Sequence, residues 1–210
     1  ETRIYKTVEM LPEEVGPNRH QTRAVLVKSE EKIVGAWLDI GISSCLGYSL
    51  DGCSREEVTG LPFDDWVISF IDRSDPMEQE LARLSPEEVI ETYYSAINRK
   101  DYQTAHACES RITLVNYLSY HMDNRSLHSD GFGEETGRGL GNYISVQVTG
   151  ITRQESFERP EAGYGDMRCY SVGVKQERIV VAGNEGGYFI SMKEETPETG
   201  WRLYGIGTGP

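Results

Sequence analysis

The sequence predicts an α+β protein, in which a small α+β N-terminal unit precedes a C-terminal domain of helices packed in a curved antiparallel sheet. Apolar residues recur at helical spacing between residues 85 and 122, whereas from residue 143 onward the apolar period is two. Helices followed by a run of antiparallel strands are typical of one sheet that curls around helices on one face. We expect the two domains to cover residues 1–80 and 81–210.

The first part of the N-terminal unit is predicted to form strands. Two apolar runs, residues 24–27 and 33–38, flank a polar turn and are typical of a β-hairpin. A third strand is predicted at residues 45–50, where the following Asp51-Gly52 pair indicates a turn.

Two helices are predicted to complete this unit. Ser54 followed by Glu57 fits a capping box, because the serine hydroxyl and the glutamate carboxylate can each accept a hydrogen bond from a free amide. A second helix is predicted at residues 64–71. Four apolar residues would share one of its faces, which we interpret as core: Trp66, Val67, Phe70 and Ile71.

The helices of the C-terminal domain carry the clearest local signals. Pro76 indicates a break, and residues 77–84 are expected to link the two domains. Ser85 is predicted to cap the next helix, with Pro86 at its first position and Glu88 completing a capping box. Its predicted buried stripe consists of Val89, Ile90, Tyr93, Tyr94 and Ile97. Asp101 is predicted to cap a second helix, which buries Tyr102, Ala105 and Cys108. Residues 111–122 are predicted to form a third helix, although their apolar residues nearly fit a strand as well.

A polar, glycine-rich loop is predicted at residues 123–141, and we expect it to be mobile and close to the open end of the sheet. The loop lacks the Gly-Lys-Ser/Thr of a phosphate-binding loop. Strands are predicted beyond it at residues 143–152, 166–175, 188–193 and 201–206, with a short fifth strand at residues 177–181.

Composition and charge exclude several partners. Phosphate binding needs clustered Lys and Arg, so a chain with a net charge of −13 is not expected to bind nucleic acid. No apolar run approaches the ~20 residues that span a bilayer. The chain begins at Glu1 without an initiator methionine, and we expect a targeting segment to have been removed before it.

The cysteines and histidines match no established site. The four cysteines fit no CxxC pattern and are expected to be free, although a bridge between Cys45 and Cys53 stays open. Cys108 lies two residues from His106, which puts the two side chains on different faces of a helix. Residues 121–130 contain two histidines and two aspartates, but their spacing matches no ligand pattern, so neither a metal nor another cofactor is expected.

The residues that open and close the C-terminal domain resemble a known superfamily. The stretches LSPEEVI and YYSAINRKDY, which begin at Leu84 and Tyr93, resemble the opening helix pair of nuclear transport factor 2-like domains. The final GWRLYGIGTGP resembles the last strand and tail of a branch of that superfamily, a domain of unknown function in exported proteins and lipoproteins of Gram-positive bacteria. The resemblance covers about residues 84–210. It implies a cystatin-like cone and an extracellular or cell-envelope location, with a lipid anchor on the precursor.

The resemblance leaves the function open between two classes, since the superfamily contains both enzymes and binding modules. Its catalytic members use an aspartate base and a tyrosine or protonated aspartate inside the cone, and no position here matches such a motif. We therefore expect a non-catalytic binding or accessory module for a small-molecule ligand or an envelope protein, with a homodimer through the sheet face as a further option. The alternative is an isomerase, dehydratase or hydrolase that uses the cone cavity for acid–base chemistry on a small apolar substrate.

Six side chains are the candidate ligand contacts. Three tyrosines on the predicted helices could line the cavity, and two histidines and a phenylalanine at or in the loop could meet a ligand at its mouth. The six are Tyr94, Tyr117, Tyr120, His121, His128 and Phe132.

Overall fold

The computed structural model describes residues 2–6, 23–29, 32–39, 48–115, 140–158, 167–179 and 184–209. These residues confirm the predicted α+β class, with short helices and antiparallel sheets. They fall into two compact units, of which the first ends at Phe70 and the second begins at Ile71. Residues 71–80, which the sequence analysis placed in the N-terminal domain, thus group with the second unit.

The first unit contains a three-stranded antiparallel sheet. Its strands are β1 (Thr2–Lys6), β2 (Arg23–Ser29) and β3 (Lys32–Asp39), in that order. The predicted hairpin is confirmed, because β2 pairs with β3 with Val25 opposite Trp37. The third strand of the sheet is β1, which the sequence analysis did not predict. In the described part of residues 45–50, pairing is limited to isolated bridges of Tyr48 with Leu38 and Ser54.

Two short helices follow in the first unit. Helix α1 (Arg55–Thr59) begins with the predicted capping box of Ser54 and Glu57. Helix α2 (Phe63–Ile68) ends three residues earlier than predicted. Phe70 lies beyond that end and therefore does not share the buried face of the helix, and it is 71% exposed. Its ring packs edge-on against Trp66, with 5.2 Å between the ring centroids. The interpretation of Phe70 as a core residue is therefore wrong.

The helices of the second unit begin where their caps predict, with one addition. Helix α3 (Pro76–Leu81) occupies the stretch expected to be a link, and the Asp75 carboxylate accepts a hydrogen bond from the Met77 amide at its start. Helix α4 (Pro86–Asn98) has the predicted capping box, and α5 (Tyr102–Ala107) is capped by Asp101. Residues 111–115 begin a further helix. No described helix is long and apolar enough to cross a bilayer.

The sheet of the second unit is an antiparallel meander. Its strands are β4 (Tyr143–Arg153), β5 (Met167–Arg178), β6 (Asn184–Glu194) and β7 (Trp201–Gly207), and each pairs with the next. The prediction of a separate strand at residues 177–181 is wrong, because Glu177 and Arg178 continue β5 and pair with β4.

The core of the second unit lies between α4 and the sheet. The predicted stripe of α4 is buried, with Val89, Ile90 and Ile97 fully inaccessible to solvent. These side chains pack with sheet residues such as Val172 and Ile190 in one hydrophobic cluster. Full burial of an aliphatic side chain contributes about 1.5–3 kcal/mol, so this cluster is the main source of the unit's stability.

Candidate functional site

The inward face of β5 changes from apolar to polar along the strand. Side chains alternate between faces of a strand, so every second residue from Tyr170 to Arg178 points the same way. Tyr170, Val172 and Val174 are buried in the core, whereas the next two in the alternation, Gln176 and Arg178, are polar and half-buried. The core therefore ends in a polar layer at this end of the sheet.

Pairing of the strands brings two tyrosines to Arg178. Tyr143 of β4 lies opposite Arg178, and the guanidinium carbon of Arg178 lies 4.4 Å from the centroid of the Tyr143 ring. Nη2 of Arg178 lies within hydrogen-bond distance of three acceptors, which share its two hydrogens: the hydroxyls of Tyr143 (2.6 Å) and Tyr188 (3.2 Å) and Oε1 of Gln176 (3.1 Å). Gln176 Nε2 donates to the Tyr188 hydroxyl at 2.9 Å. We call these four residues together with Tyr94 the Tyr–Arg layer.

Tyr94 is the sequence-predicted contact that the described residues include, and α4 carries it into this layer. Its side chain is 3% exposed. Burial raises the pKa of Tyr94 well above that of a free tyrosine; the nearby hydroxyls of Tyr143 and Tyr188 raise it further, and Arg178 opposes them. Burial also raises the pKa of Tyr143, again against Arg178. Both phenols therefore keep their protons at neutral pH and can donate hydrogen bonds.

The remaining five predicted contacts lie outside the described residues: Tyr117, Tyr120, His121, His128 and Phe132. The same holds for most of the loop predicted at residues 123–141, of which Leu140 and Gly141 are described and lie in a 3₁₀ turn that leads into β4.

Four members of the layer are not among the contacts predicted from the sequence, namely Tyr143, Gln176, Arg178 and Tyr188. The usable signal was the alternation in β5, which places a glutamine and an arginine in line with buried valines. Assigning residues 177–181 to a separate strand concealed that signal.

The layer carries a positive charge and unused hydrogen-bond donors. The hydrogen-bond partners of Arg178 in the described part of the chain are all neutral, and its Nε is buried without a partner. The Tyr143 and Tyr188 hydroxyls already accept hydrogen bonds, and each has a proton of its own to donate. The arrangement can therefore bind an acceptor group, and it contains no side chain that would act as a base at neutral pH.

A second polar cluster is buried elsewhere in the same unit. The carboxylate of Glu78 on α3 accepts hydrogen bonds from Arg202 Nη2 at 2.8 Å and from Arg111 Nη2. Arg202 lies on β7 and is 1% exposed, and Glu78 is 8% exposed. Nearby, Glu195 Oε1 accepts from the Ser110 hydroxyl at 2.6 Å and from the Arg111 amide at 2.7 Å. With two arginines on one carboxylate, this cluster joins α3 to β7 and to the helix start at Arg111.

The described thiols and imidazole are not arranged for nucleophilic catalysis. Cys53, Cys108 and Cys169 are free, so Cys53 forms no bridge to Cys45. Burial raises the pKa of Cys108 to about 12, which keeps it as a thiol at neutral pH. His106 directs Nδ1 at the Glu109 carboxylate, 3.3 Å away. Among the described residues, no group of three or more potential ligands could hold a metal ion, and residues 121–130 are not among them.

Comparison with known proteins gives two family matches. A family model described as "Domain of unknown function (DUF4830)" matches residues 1–38, which end within β3. A second, described as "Domain of unknown function (DUF4829)", matches residues 87–207, from the first turn of α4 to the end of β7. No curated protein and no solved structure matches the chain. Because the second match covers more than half of the chain and most of the described second unit, the protein belongs to the DUF4829 family.

Proposed function

We propose that this protein is a non-catalytic binding or accessory module of the extracellular space or cell envelope, lipid-anchored in its precursor. It recognises a small-molecule ligand or an envelope protein. The resemblance of residues 84–210 to exported nuclear transport factor 2-like proteins supports the compartment and the class. The Tyr–Arg layer supports ligand binding, because a half-buried guanidinium and two phenol donors lie together where the apolar core ends.

The state of the carboxylates favours binding over catalysis. An acid–base enzyme of this superfamily would need a carboxyl group with a raised pKa beside a tyrosine or histidine. Seven described carboxylates have a pKa that departs from the ordinary value, and in each the pKa is lowered, because a hydroxyl, amide or guanidinium donates a hydrogen bond to the ionised form. These carboxylates belong to Asp51, Glu57, Asp72, Glu88, Asp101, Glu158 and Glu198. The buried Glu78 is occupied by ion pairs with two arginines, Arg111 and Arg202.

A thermal-shift screen with small organic molecules and divalent metals tests this function. We expect some of the organic molecules to raise the melting temperature saturably. The double variant Tyr143→Phe/Tyr188→Phe should weaken the binding of these molecules, since it removes both phenol donors. Each hit is then incubated with the protein and followed by mass spectrometry. Unchanged compounds support a binding module, whereas protein-dependent conversion of a hit would establish the enzyme alternative.

Two separate experiments test whether the chain binds a protein partner. Sedimentation of the purified chain over a range of concentrations detects a homodimer through the sheet face. Cross-linking on intact cells, followed by mass spectrometry, detects an envelope protein as partner. If no ligand shifts the melting temperature and neither experiment finds a specific partner, the proposed function is wrong.

A further inference from the structure

We infer that the ligand of the Tyr–Arg layer is a small organic carboxylate with an apolar body, and that Arg178 is its anion contact. This inference rests on the proposed binding function and adds the chemical class of the ligand. Four features of the layer support it.

The first feature is an uncompensated charge. A guanidinium removed from water normally pairs with a carboxylate, because an unpaired buried charge is costly. Arg111 and Arg202 follow this rule with Glu78. Arg178 is half-buried, yet its described partners are two phenols and an amide oxygen, which leave its full charge in place.

The second feature is the supply of donors. The Tyr143 and Tyr188 hydroxyls accept from Arg178, so each proton is free for an outside acceptor, and no acceptor for it lies within hydrogen-bond distance among the described residues. The Nε–H of Arg178 is a further buried donor without a partner. Carboxylate oxygens accept several hydrogen bonds, and their pairing with guanidinium is among the strongest in proteins.

The third feature is the charge balance, which favours a carboxylate over a phosphate. One guanidinium compensates one negative charge. A phosphate monoester carries about −1.5 to −2 at neutral pH and would keep excess charge beside the core. The chain as a whole has a net charge of −13, which disfavours a more highly charged anion still further.

The fourth feature is the aromatic and aliphatic surroundings. Tyr94 belongs to the hydrophobic core cluster, and Tyr143 and Tyr188 pack against that cluster with half-buried rings. A planar apolar body can therefore lie against the accessible parts of the Tyr143 and Tyr188 rings while its carboxylate reaches Arg178. A site with these rings beside a guanidinium is suited to aryl or short alkyl carboxylates.

The experiment compares benzoate with benzamide, a neutral molecule of nearly the same shape, in thermal-shift titrations at constant ionic strength. We expect benzoate to stabilise the protein saturably. Benzamide should bind at least about tenfold more weakly, because it is neutral and cannot form the charged hydrogen bonds. Inorganic phosphate at the same concentration should give no comparable stabilisation. Equal binding of benzoate and benzamide would overturn the inference while leaving the proposed function standing, and so would binding of phosphate alone.

Variants locate the contact. Arg178→Gln should weaken the binding of benzoate by about ten- to a hundredfold. Arg178→Lys should weaken it by less, because lysine keeps the charge but lacks the planar guanidinium that can donate two parallel hydrogen bonds to a carboxylate. Arg168→Gln is the matched control: Arg168 lies on the same strand and stacks on Trp201 at 4.3 Å, ten residues from Arg178. An equal loss of benzoate binding in Arg168→Gln would overturn the assignment of Arg178. Circular dichroism checks that each variant folds, and the comparison of benzoate with benzamide on the wild-type chain needs no variant. If benzoate and benzamide both fail to bind, the inference is wrong, and the broader screen then decides the proposed function separately.

Discussion

Replacing Glu78 with alanine should destabilise the second unit far more than replacing Glu158, a glutamate with equally good ion-pair geometry whose arginine partner is exposed to solvent. Glu78 is the shared acceptor of Arg111 and Arg202, and Arg202 is almost completely buried. Glu78→Ala therefore leaves a buried guanidinium without a counter-charge, and a second one beside it that is mostly shielded from solvent.

The expected cost is about 3–5 kcal/mol, the usual range for breaking a buried ion pair by removing one partner. For a chain of this size, 1 kcal/mol corresponds to about 2–4 °C in melting temperature, so we expect a decrease of about 6–20 °C. The comparison is Glu158→Ala. Glu158 accepts two hydrogen bonds of 2.8 Å from Arg153, but the Arg153 side chain is exposed to solvent, and ion pairs that water can screen contribute about 1 kcal/mol or less.

Urea denaturation followed by circular dichroism measures the free energy of unfolding of both variants. The double variant Glu78→Gln/Arg202→Met then removes the charges of Glu78 and of its more deeply buried partner Arg202 while keeping similar side-chain volumes. It should recover much of the stability lost in Glu78→Ala. If Glu78→Ala costs no more than Glu158→Ala, or if the double variant is the less stable of the two Glu78 variants, the buried network is not what joins α3 to β7.

Three further predictions concern the helix cap, a glycine and a buried thiol. Ser85→Ala should cost about 0.5–2 kcal/mol in urea denaturation, because it removes the serine half of the capping box of α4; a change smaller than the measurement error would contradict this. Gly200→Ala should cost more than about 1 kcal/mol, because Gly200 has φ +72° and an added Cβ would lie 2.8 Å from the Ala82 carbonyl oxygen. Gly186→Ala, with nothing within 4 Å of the added Cβ, is its control and should be nearly neutral. Cys108 should resist iodoacetamide at pH 8 until urea unfolds the chain, as peptide mapping can show, and its raised pKa should lower stability as the pH rises from about 9 towards 12, where the unfolded thiol ionises before the folded one. Rapid labelling in the native state would refute the burial.

Local signals in the sequence predicted most helix starts and the extent of most strands. The capping boxes at Ser54 and Ser85 and the cap at Asp101 are confirmed, because each involves atoms no more than three residues apart. The signal for α3 is also local, an aspartate before a proline, but the same pair of residues is also typical of a chain break between elements. The stripe of α4 was predictable because a single amphipathic helix fixes which side chains face the core.

The Tyr–Arg layer was predictable only in part. Tyr94 could be proposed from its place on α4. Its neighbours could not, because Tyr143 and Arg178 meet through strand pairing across 35 residues, and Tyr188 comes from a third strand. Pairing register depends on bulges and on how far each strand extends, and β4 contains two such irregularities against β5. A shift of one residue would have turned Arg178 to the opposite face of the sheet.

The sequence by itself determined the α+β class, the capped helices and the alternation of the final strands, because these follow from interactions within a few residues of one another. Only the tertiary structure decided that Glu78 would meet Arg202, 124 residues away, and that Arg178 would remain without an acidic partner among the described residues. Charged side chains far apart in the chain acquire their partners from the packing of whole elements. Their burial, and with it the energy of each pair or of each unpaired charge, is fixed only when those elements pack together.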